Sequence, residues 1–474
     1  MVNTSNFKNK KIAVMGLART GIAAAEVLMK LEANITIFDN KDEKELGVSV
    51  ELMRSAGARV ITGVDKIDLE NFDLLVVSPG VPASHEIFIE AKNKKVDAIS
   101  EIELAYQISK APIVAITGTN GKTTTAILLK TMLRASGKNA YVAGNVAAGD
   151  IKLPLIQAVY STDEDSIIVA EISSFQLENI KTFKPIISMV LNMSPDHMDR
   201  YANMDEYISA KKRIFENQSK NEYCIINKDN AITKAMDENN NANIVWFSLN
   251  EKLDNGGWLD GDILKFTYNG STYDICNKND LALRGMHNVE NVLAASAASI
   301  LLGAEIDNIS QAAVSFQPVE HRLEPVAVIN DVEYINNSMC TNIDAAVNSI
   351  NALSNNQIII AGGKDKVSDY TKMAEAFKKK AKFVILIGQD AHLIEKAALK
   401  VGYKDYVFAD SMEDAVNIAF HKAKPNDVVV LTPGCASFGM FTSFEHRGNA
   451  FKEAVNKLSR GNFKDEKNTN KITS

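Results

Sequence analysis

The run Ile113-Val-Ala-Ile-Thr-Gly-Thr-Asn-Gly-Lys-Thr-Thr-Thr125 constrains this chain more than any other stretch. A short β-branched segment enters a glycine turn, a lysine and three threonines follow, and a helix-forming stretch runs from Ala126 to Ala135. Strand, tight turn and helix in that order is the local geometry of a phosphate loop. Gly118 and Gly121 let backbone N–H groups curl around an anion, with Thr119 and Asn120 between them. The helix N-terminus adds partial positive charge. Lys122 is placed to bridge the outer phosphates and the Thr123 hydroxyl to face Mg²⁺, with Thr124 beside them. The motif's usual first glycine would fall at position 116, which is Ile, so the loop is compressed to Gly-Thr-Asn-Gly-Lys-Thr.

Three blocks repeat the theme of strand, glycine turn and helix. The first opens with Lys11-Ile-Ala-Val-Met-Gly16 and continues through Ile35–Asp39 and Leu74–Ser78. The second carries the phosphate loop and strands at Ser166–Ala170, Ile186–Leu191 and Tyr223–Ile226. The third begins after about Gln317, with strands at Gln357–Ile360, Phe383–Ile387 and Val428–Leu431. Strands alternating with helices predict an α/β chain of mostly parallel, doubly wound sheets. Asn255-Gly256 and Asn269-Gly270 predict hairpin turns, hence a small antiparallel β appendage late in the middle block. A chain of 474 residues holds about three domains at the usual ~150 each. The expected divisions are 1–105, 106–318 and 319–474, and the tail from about Arg460 is expected to fray.

Each block offers candidate chemistry. Gly16-Leu-Ala-Arg-Thr-Gly21 lies where a dinucleotide fingerprint would, with Ala18 in place of its middle glycine. Asp39 ends the second strand, 18 residues past Gly21, where an acid commonly accepts a ribose hydroxyl. Ser78-Pro-Gly80 closes the third strand at the edge where ligands of such sheets sit. A diphosphate-ribose ligand fits these features; so does a plain packing turn. In the middle block Glu171 ends a strand, the place for a Mg²⁺ ligand or a surface carboxylate. His197 stands among Asp196, Asp199 and Arg200, and Lys211 by itself reads as a solvated helix lysine. Asn288 and Asn291 share a helix face and could grip a nucleotide or cap the helix.

Net charge of −7, from 52 basic and 59 acidic side chains, argues against nucleic acid or an anionic membrane as the main partner. Four scattered cysteines without a Cys-x-x-Cys pair, the lack of a convincing signal peptide and the lack of a long apolar stretch predict a cytoplasmic protein without membrane insertion.

Taken together, Gly-Thr-Asn-Gly-Lys-Thr (118–123), Glu-Ile-Ser-Ser-Phe-Gln-Leu (171–177), Asp-His-Met-Asp-Arg-Tyr (196–201), Glu-His-Arg (320–322) and Cys-Ala-Ser (435–437) resemble the Mur ligases. These are ATP-dependent amide-forming enzymes of peptidoglycan precursor synthesis. The resemblance runs from about Lys11 to Phe451 and is strongest to the branch that adds D-glutamate to UDP-N-acetylmuramoyl-L-alanine. It implies a Rossmann-like first domain binding the UDP group, a central ATP-binding domain, and a Rossmann-like third domain that binds the amino acid and completes the ATP site. By that likeness Arg19, Thr20, Asp39, Ser78 and Gly80 hold the UDP group, and Asn145 and His197 the muramoyl-alanine end. Lys122, Thr123, Asn288, Asn291, Arg322 and Asn337 meet ATP, while Thr123, Glu171, His197 and a carbamylated Lys211 serve two Mg²⁺ sites. Lys122, His197 and Lys211 are the implied catalytic group; Thr341, Lys366, Ser437 and Phe444 match the glutamate pocket. A monomer is implied.

Three positions depart from the family pattern. Asp-Ser-Lys-Ala-Thr-Asn is replaced by Asn337-Ser-Met-Cys-Thr-Asn342, so Asn337 lacks a carboxylate and Met339 a cation, and Gly439 stands where Asp is common. All lie in the third block. Addition of L-glutamate and a nucleotide-binding regulator without turnover therefore stand as alternatives, as does a folylpolyglutamate-type ligation, which shares the ATP loop and the glutamate chemistry.

Overall fold

Runs of buried β-branched residues separated by amphipathic helices build three sheets. The computed structural model describes residues 4–146, 151–237, 240–364 and 369–459. The first sheet has five parallel strands in the order Arg59–Ile61, Asn34–Phe38, Lys11–Met15, Leu74–Val77, Asp97–Ser100. The order reverses beside Lys11–Met15, which brings the 16–21 turn and Ser78 together at a topological switch point.

The second sheet has nine strands in the order Ser271–Asn277, Ile263–Tyr268, Gly256–Asp260, Asn243–Ser248, Tyr223–Asn227, Ile187–Val190, Ile113–Thr117, Ser166–Glu171, Asn139–Gly144. Every position of Ile113–Thr117 is buried, as a parallel strand covered on both faces must be. The expected antiparallel strands exist, but they extend this same sheet. Asn269-Gly270 is the hairpin turn predicted for it, joining antiparallel Ile263–Tyr268 and Ser271–Asn277 with φ of +49° and +77°. Asn255-Gly256 is not a hairpin turn, because Asn243–Ser248 and Gly256–Asp260 pair parallel. Gly256 answers to crowding instead: a Cβ there would stand 1.9 Å from the Trp246 carbonyl oxygen.

The third sheet has six strands in the order Glu324–Ile329, Val332–Asn336, Val428–Leu431, Gln357–Gly362, Ala381–Ile387, Tyr406–Phe408, with only the first pair antiparallel. Its opening hairpin turns on Asn330-Asp331, both left-handed, a turn without glycine that the sequence reading passed over.

The first and second sheets belong to one compact unit. The third belongs to another, formed by Leu283–His287 and the chain from Gln317 onward. Within the first unit two buried carboxylates on the helix Glu101–Ile108 join the blocks. Glu103 accepts from the backbone N–H groups of Lys181, Thr182 and Phe183, and Glu101 from that of Ile156. No described helix is long and apolar enough to cross a membrane.

Candidate active site

The phosphate loop joins the strand Ile113–Thr117 to the helix Lys122–Ala135. Gly121 is the helix N-cap, with φ of +87° and no side-chain cap. A Cβ there would lie 2.4 Å from Asn291 Oδ1, so position and conformation both demand glycine. The loop is braced from outside. Asn192 Oδ1 accepts from the Asn120 N–H at 2.9 Å, and its Nδ2 donates to the Asn120 carbonyl at 3.0 Å. The Thr119 hydroxyl donates to the Ser194 carbonyl at 3.1 Å, and Thr124 is buried. Asn291 Oδ1 accepts from the Thr125 hydroxyl at 3.2 Å, while its amide donates to Asn288 Oδ1 at 3.0 Å. The helix Met286–Leu301 starts ahead of Asn288, so that side chain is no N-cap; the pair braces the loop. Lys122 folds back on its own turn, donating to the carbonyls of Gly118 and Thr119, each at 3.0 Å.

Beside the loop, the Thr123 hydroxyl donates to Glu171 Oε2 at 2.6 Å. Glu171 is 4% exposed, so it is no surface carboxylate. Lys211, on the helix Met204–Lys212, is 2% exposed and not a solvated lysine. Its Nζ donates to the Gly118 carbonyl at 3.0 Å and to Thr117 Oγ1 at 3.2 Å, 5.0 Å from the Tyr207 ring centre. Burial first, and the Lys122 charge second, hold its amine well below the ordinary lysine value; Asp196 and Glu171 pull weakly the other way. His197 is half-exposed, in a left-handed turn at φ +56°, with its ring edge-on to Phe175 at 4.8 Å. Among the described residues no three His, Cys, Asp or Glu side chains gather as a ready-made metal cage.

At the first block's switch point Ser78 Oγ lies 3.4 Å from the Gly16 carbonyl. Arg19 and Thr20 open the helix Arg19–Lys30, and Gly80 lies in the turn past Ser78. Asp39 is not a bare acceptor waiting for a ribose. Its two oxygens accept from the Leu17 N–H at 2.7 Å and the Lys41 N–H at 2.9 Å, shaping the turn that carries Arg19. Asn145 is exposed just past the strand Asn139–Gly144, and its N–H donates to the Glu171 carbonyl at 2.8 Å.

In the second unit, loops gather at the carboxyl ends of the parallel strands. The Asn337 amide donates to Ser349 Oγ at 2.8 Å and Thr432 Oγ1 at 3.4 Å, and its oxygen accepts from the Leu323 N–H at 3.1 Å. The Ser349 hydroxyl already donates to the Ala345 carbonyl at 2.8 Å, so it has no proton left for an aspartate at 337, and the amide meets it as a donor. Met339 is half-buried, and its N–H donates to the His321 carbonyl. Arg322 and Thr341 are half-buried, Ser437 is buried, and Phe444 opens the helix Phe444–Ser459, its carbonyl accepting from Ser338 Oγ at 2.7 Å. Lys366 lies outside the described residues.

Comparison with known proteins decides the family. Residues 10–100 match the Mur ligase MurD-like N-terminal domain, 116–299 the Mur ligase middle domain, and 321–435 the Mur ligase glutamate ligase domain. The UDP-N-acetylmuramoylalanine--D-glutamate ligase of Thermoanaerobacter sp. (strain X514) is 43% identical over 456 residues, 96% of this chain and 99% of that one. That of Clostridioides difficile (strain 630) is 37% identical over 455 residues, 96% and 100%. The chain belongs to the Mur ligase family. The Mur ligase fold is matched at low identity by the UDP-N-acetylmuramate-alanine ligase MurC of Thermotoga maritima, with TM-score 0.59, 17% identity, and 94% and 99% coverage. A pseudomurein peptide ligase type C from Methanothermus fervidus gives TM-score 0.58, 19% identity, and 95% and 100% coverage.

The residues of this Mur ligase fit a Mg²⁺-nucleotide. An uncapped helix N-terminus favours an anion. The Thr123 hydroxyl is already aimed at a buried carboxylate, and both are hard oxygen donors. Three supporting residues escaped the sequence reading: Asn192, which clamps the loop; Tyr207, which walls Lys211; and Arg447. Arg447 is 0% exposed and donates to the Ser338 and Cys435 carbonyls at 2.8 and 3.0 Å and to Ser338 Oγ at 3.1 Å, tying two loops together. A basic residue in a first helical turn reads as solvated, and nothing local marks it otherwise.

Proposed function

We propose that this Mur ligase joins D-glutamate to UDP-N-acetylmuramoyl-L-alanine at the expense of ATP. The observation that carries the reading is the meeting of the phosphate loop, the Thr123–Glu171 pair and the buried Lys211 at one sheet edge. The curated relatives of that name, alike over 96% of the chain, support the choice of substrates.

The alanine carboxylate of the UDP-sugar attacks the γ-phosphorus of ATP, giving an acyl phosphate and ADP. The glutamate amine then attacks the acyl carbon, and inorganic phosphate leaves as the amide forms. Phosphorylation supplies the leaving group that a bare carboxylate lacks. The first step depends on positioning and charge neutralisation. Lys122 would leave its loop carbonyls for the outer phosphates. Thr123, Glu171, His197 and carbamylated Lys211 would hold Mg²⁺, which when bound neutralises phosphate charge. Lys211 has a feature that favours carbamate formation: burial holds its amine well below the ordinary lysine value, which eases loss of the proton. Block 1–105 would bind UDP through Arg19, Thr20, Asp39, Ser78 and Gly80, and block 106–318 would bind ATP, with Asn288 and Asn291 setting the loop. Block 319–474 would bring glutamate through Thr341, Lys366, Ser437 and Phe444, with Arg322 and Asn337 supporting the nucleotide. The enzyme would work as a cytoplasmic monomer.

The test is an ADP-release assay with UDP-N-acetylmuramoyl-L-alanine and either glutamate isomer. Turnover with D-glutamate is expected. Turnover with L-glutamate alone would reassign the amino acid, and nucleotide binding without ADP release would reassign the chain to a regulator.

A further inference from the structure

One side chain of the segment after Ile187–Val190 reaches out of its own block. Arg200 donates through Nη1 to the Pro79 carbonyl at 3.3 Å and through Nη2 to the Val81 carbonyl at 3.1 Å. These carbonyls flank Gly80 in the turn that follows Leu74–Val77, a turn closed by the Val81 N–H on the Ser78 carbonyl at 3.0 Å. Nη2 also meets Glu178 Oε2 at 2.8 Å, and the other oxygen of Glu178 accepts from the Tyr201 hydroxyl at 2.7 Å. The guanidinium lies 4.6 Å from the Phe175 ring centre, and that same ring packs edge-on against His197. Phe175 follows Glu171 by four residues, on the short helix Ser174–Leu177.

The pair is not a surface ion pair, since the side chains of Arg200 and Glu178 are 16% and 9% exposed. A planar guanidinium serves three acceptors and an aromatic face at once; an ammonium has no such fork. The acceptors belong to two blocks: the Ser78–Val81 turn on one, and the chain running from Glu171 to Glu178 on the other.

We propose that Arg200 is a positioning residue that sets the substrate-holding turn of the first block against the Glu171 and His197 segment of the second. The inference rests on the reading that Ser78 and Gly80 hold the UDP-linked substrate. That substrate must deliver its carboxylate in line with a phosphate bound on the other block, and one ångström of misplacement costs about 100-fold in rate. Arg200 touches no reacting atom; it acts through the 79–81 carbonyls and Phe175.

The experiment compares wild type, Arg200→Met and Arg200→Lys, each normalised to folded enzyme by its melting transition. Single-turnover ADP formation without glutamate, and KM for each substrate, are measured. Arg200→Met keeps an unbranched side chain and removes the donors and the guanidinium over Phe175. It is expected to slow ADP formation by about 100-fold and raise KM for the UDP-sugar, with KM for ATP within about threefold of wild type. Arg200→Lys is expected to recover part of the rate. Unchanged rate and UDP-sugar KM in folded variants would overturn the inference, as would equal rises in both KM values. If Arg200→Met does not fold, Arg200→Lys decides by the same measurements. A wild type that makes no ADP from this substrate would overturn the functional reading itself, whereas active wild type with unaltered variants overturns only the role of Arg200.

Discussion

Lys122 and Lys211 donate to one and the same acceptor, the Gly118 carbonyl oxygen, each from 3.0 Å. One begins the helix behind the phosphate loop; the other comes from the helix Met204–Lys212. Burial first, and the Lys122 charge second, lower the proton affinity of Lys211. The arrangement favours the neutral form of the Lys211 amine beside the phosphate loop.

Lys211→Ala is therefore expected to lose ligation and to recover part of it when short carboxylic acids are added to mimic a carbamate. Lys211→Arg, permanently charged and unable to react with CO₂, should not be rescued. Turnover and intact mass before and after CO₂ depletion check this; a fully active Lys211→Ala would remove the carbamate from the mechanism.

Lys122→Ala should lower kcat on the order of 10²–10³-fold, the usual effect of deleting one donor to developing charge. The side chain is itself half-exposed and bonds carbonyls of its own turn, so the melting temperature should barely move. Kinetics and thermal melts separate the two effects.

Glu171→Gln keeps the volume beside the Thr123 hydroxyl but removes the charge. The expected outcome is a raised Mg²⁺ requirement, read as activity against free Mg²⁺, with KM for the UDP-sugar little changed. Equal activity at limiting Mg²⁺ would refute the metal role.

Asp39→Ala strands the buried Leu17 N–H, a loss of about 1–3 kcal/mol, and frees the exposed Lys41 N–H to water. Because that carboxylate shapes the turn bearing Arg19, KM for the UDP-sugar should rise more than KM for ATP. Equal effects would count against the first-block site.

Glu101 gives a pH prediction. Burial pushes its carboxyl from 4.5 up to about 7, against the Ile156 N–H and the Arg19 charge, which pull it down. A raised folded value means the group's stabilising contribution is complete below 4.5 and is lost as pH rises through about 7. Glu101→Gln should flatten that loss. Glu290 is raised the same way and remains in both proteins, so the difference between their melting curves across this window isolates Glu101.

Local patterns were legible where the cause is local. Gly118 to Thr125 announced a strand, a turn and a helix, and Glu171 was placed at a strand end by its apolar run. Asn269-Gly270 announced its hairpin, while Asn255-Gly256 misled, because the same dipeptide there serves a close backbone approach between parallel strands. Asn337, matched to an ATP contact but without the family's carboxylate, is buried, and its amide donates to the hydroxyls of Ser349 and Thr432, 12 and 95 residues away, partners that no local pattern announces.

By itself, then, the sequence determined the alternation of strands and helices, the phosphate loop and the motifs that mark the family, because each is written in neighbouring residues. Only the tertiary structure decided that Lys211 is buried beside Lys122, that Asp39 also shapes its own turn, that Arg447 is sealed beneath two loops and that Arg200 spans two blocks. Proton affinity, desolvation and hydrogen-bond partnership depend on groups far apart in the chain, and folding alone brings those together.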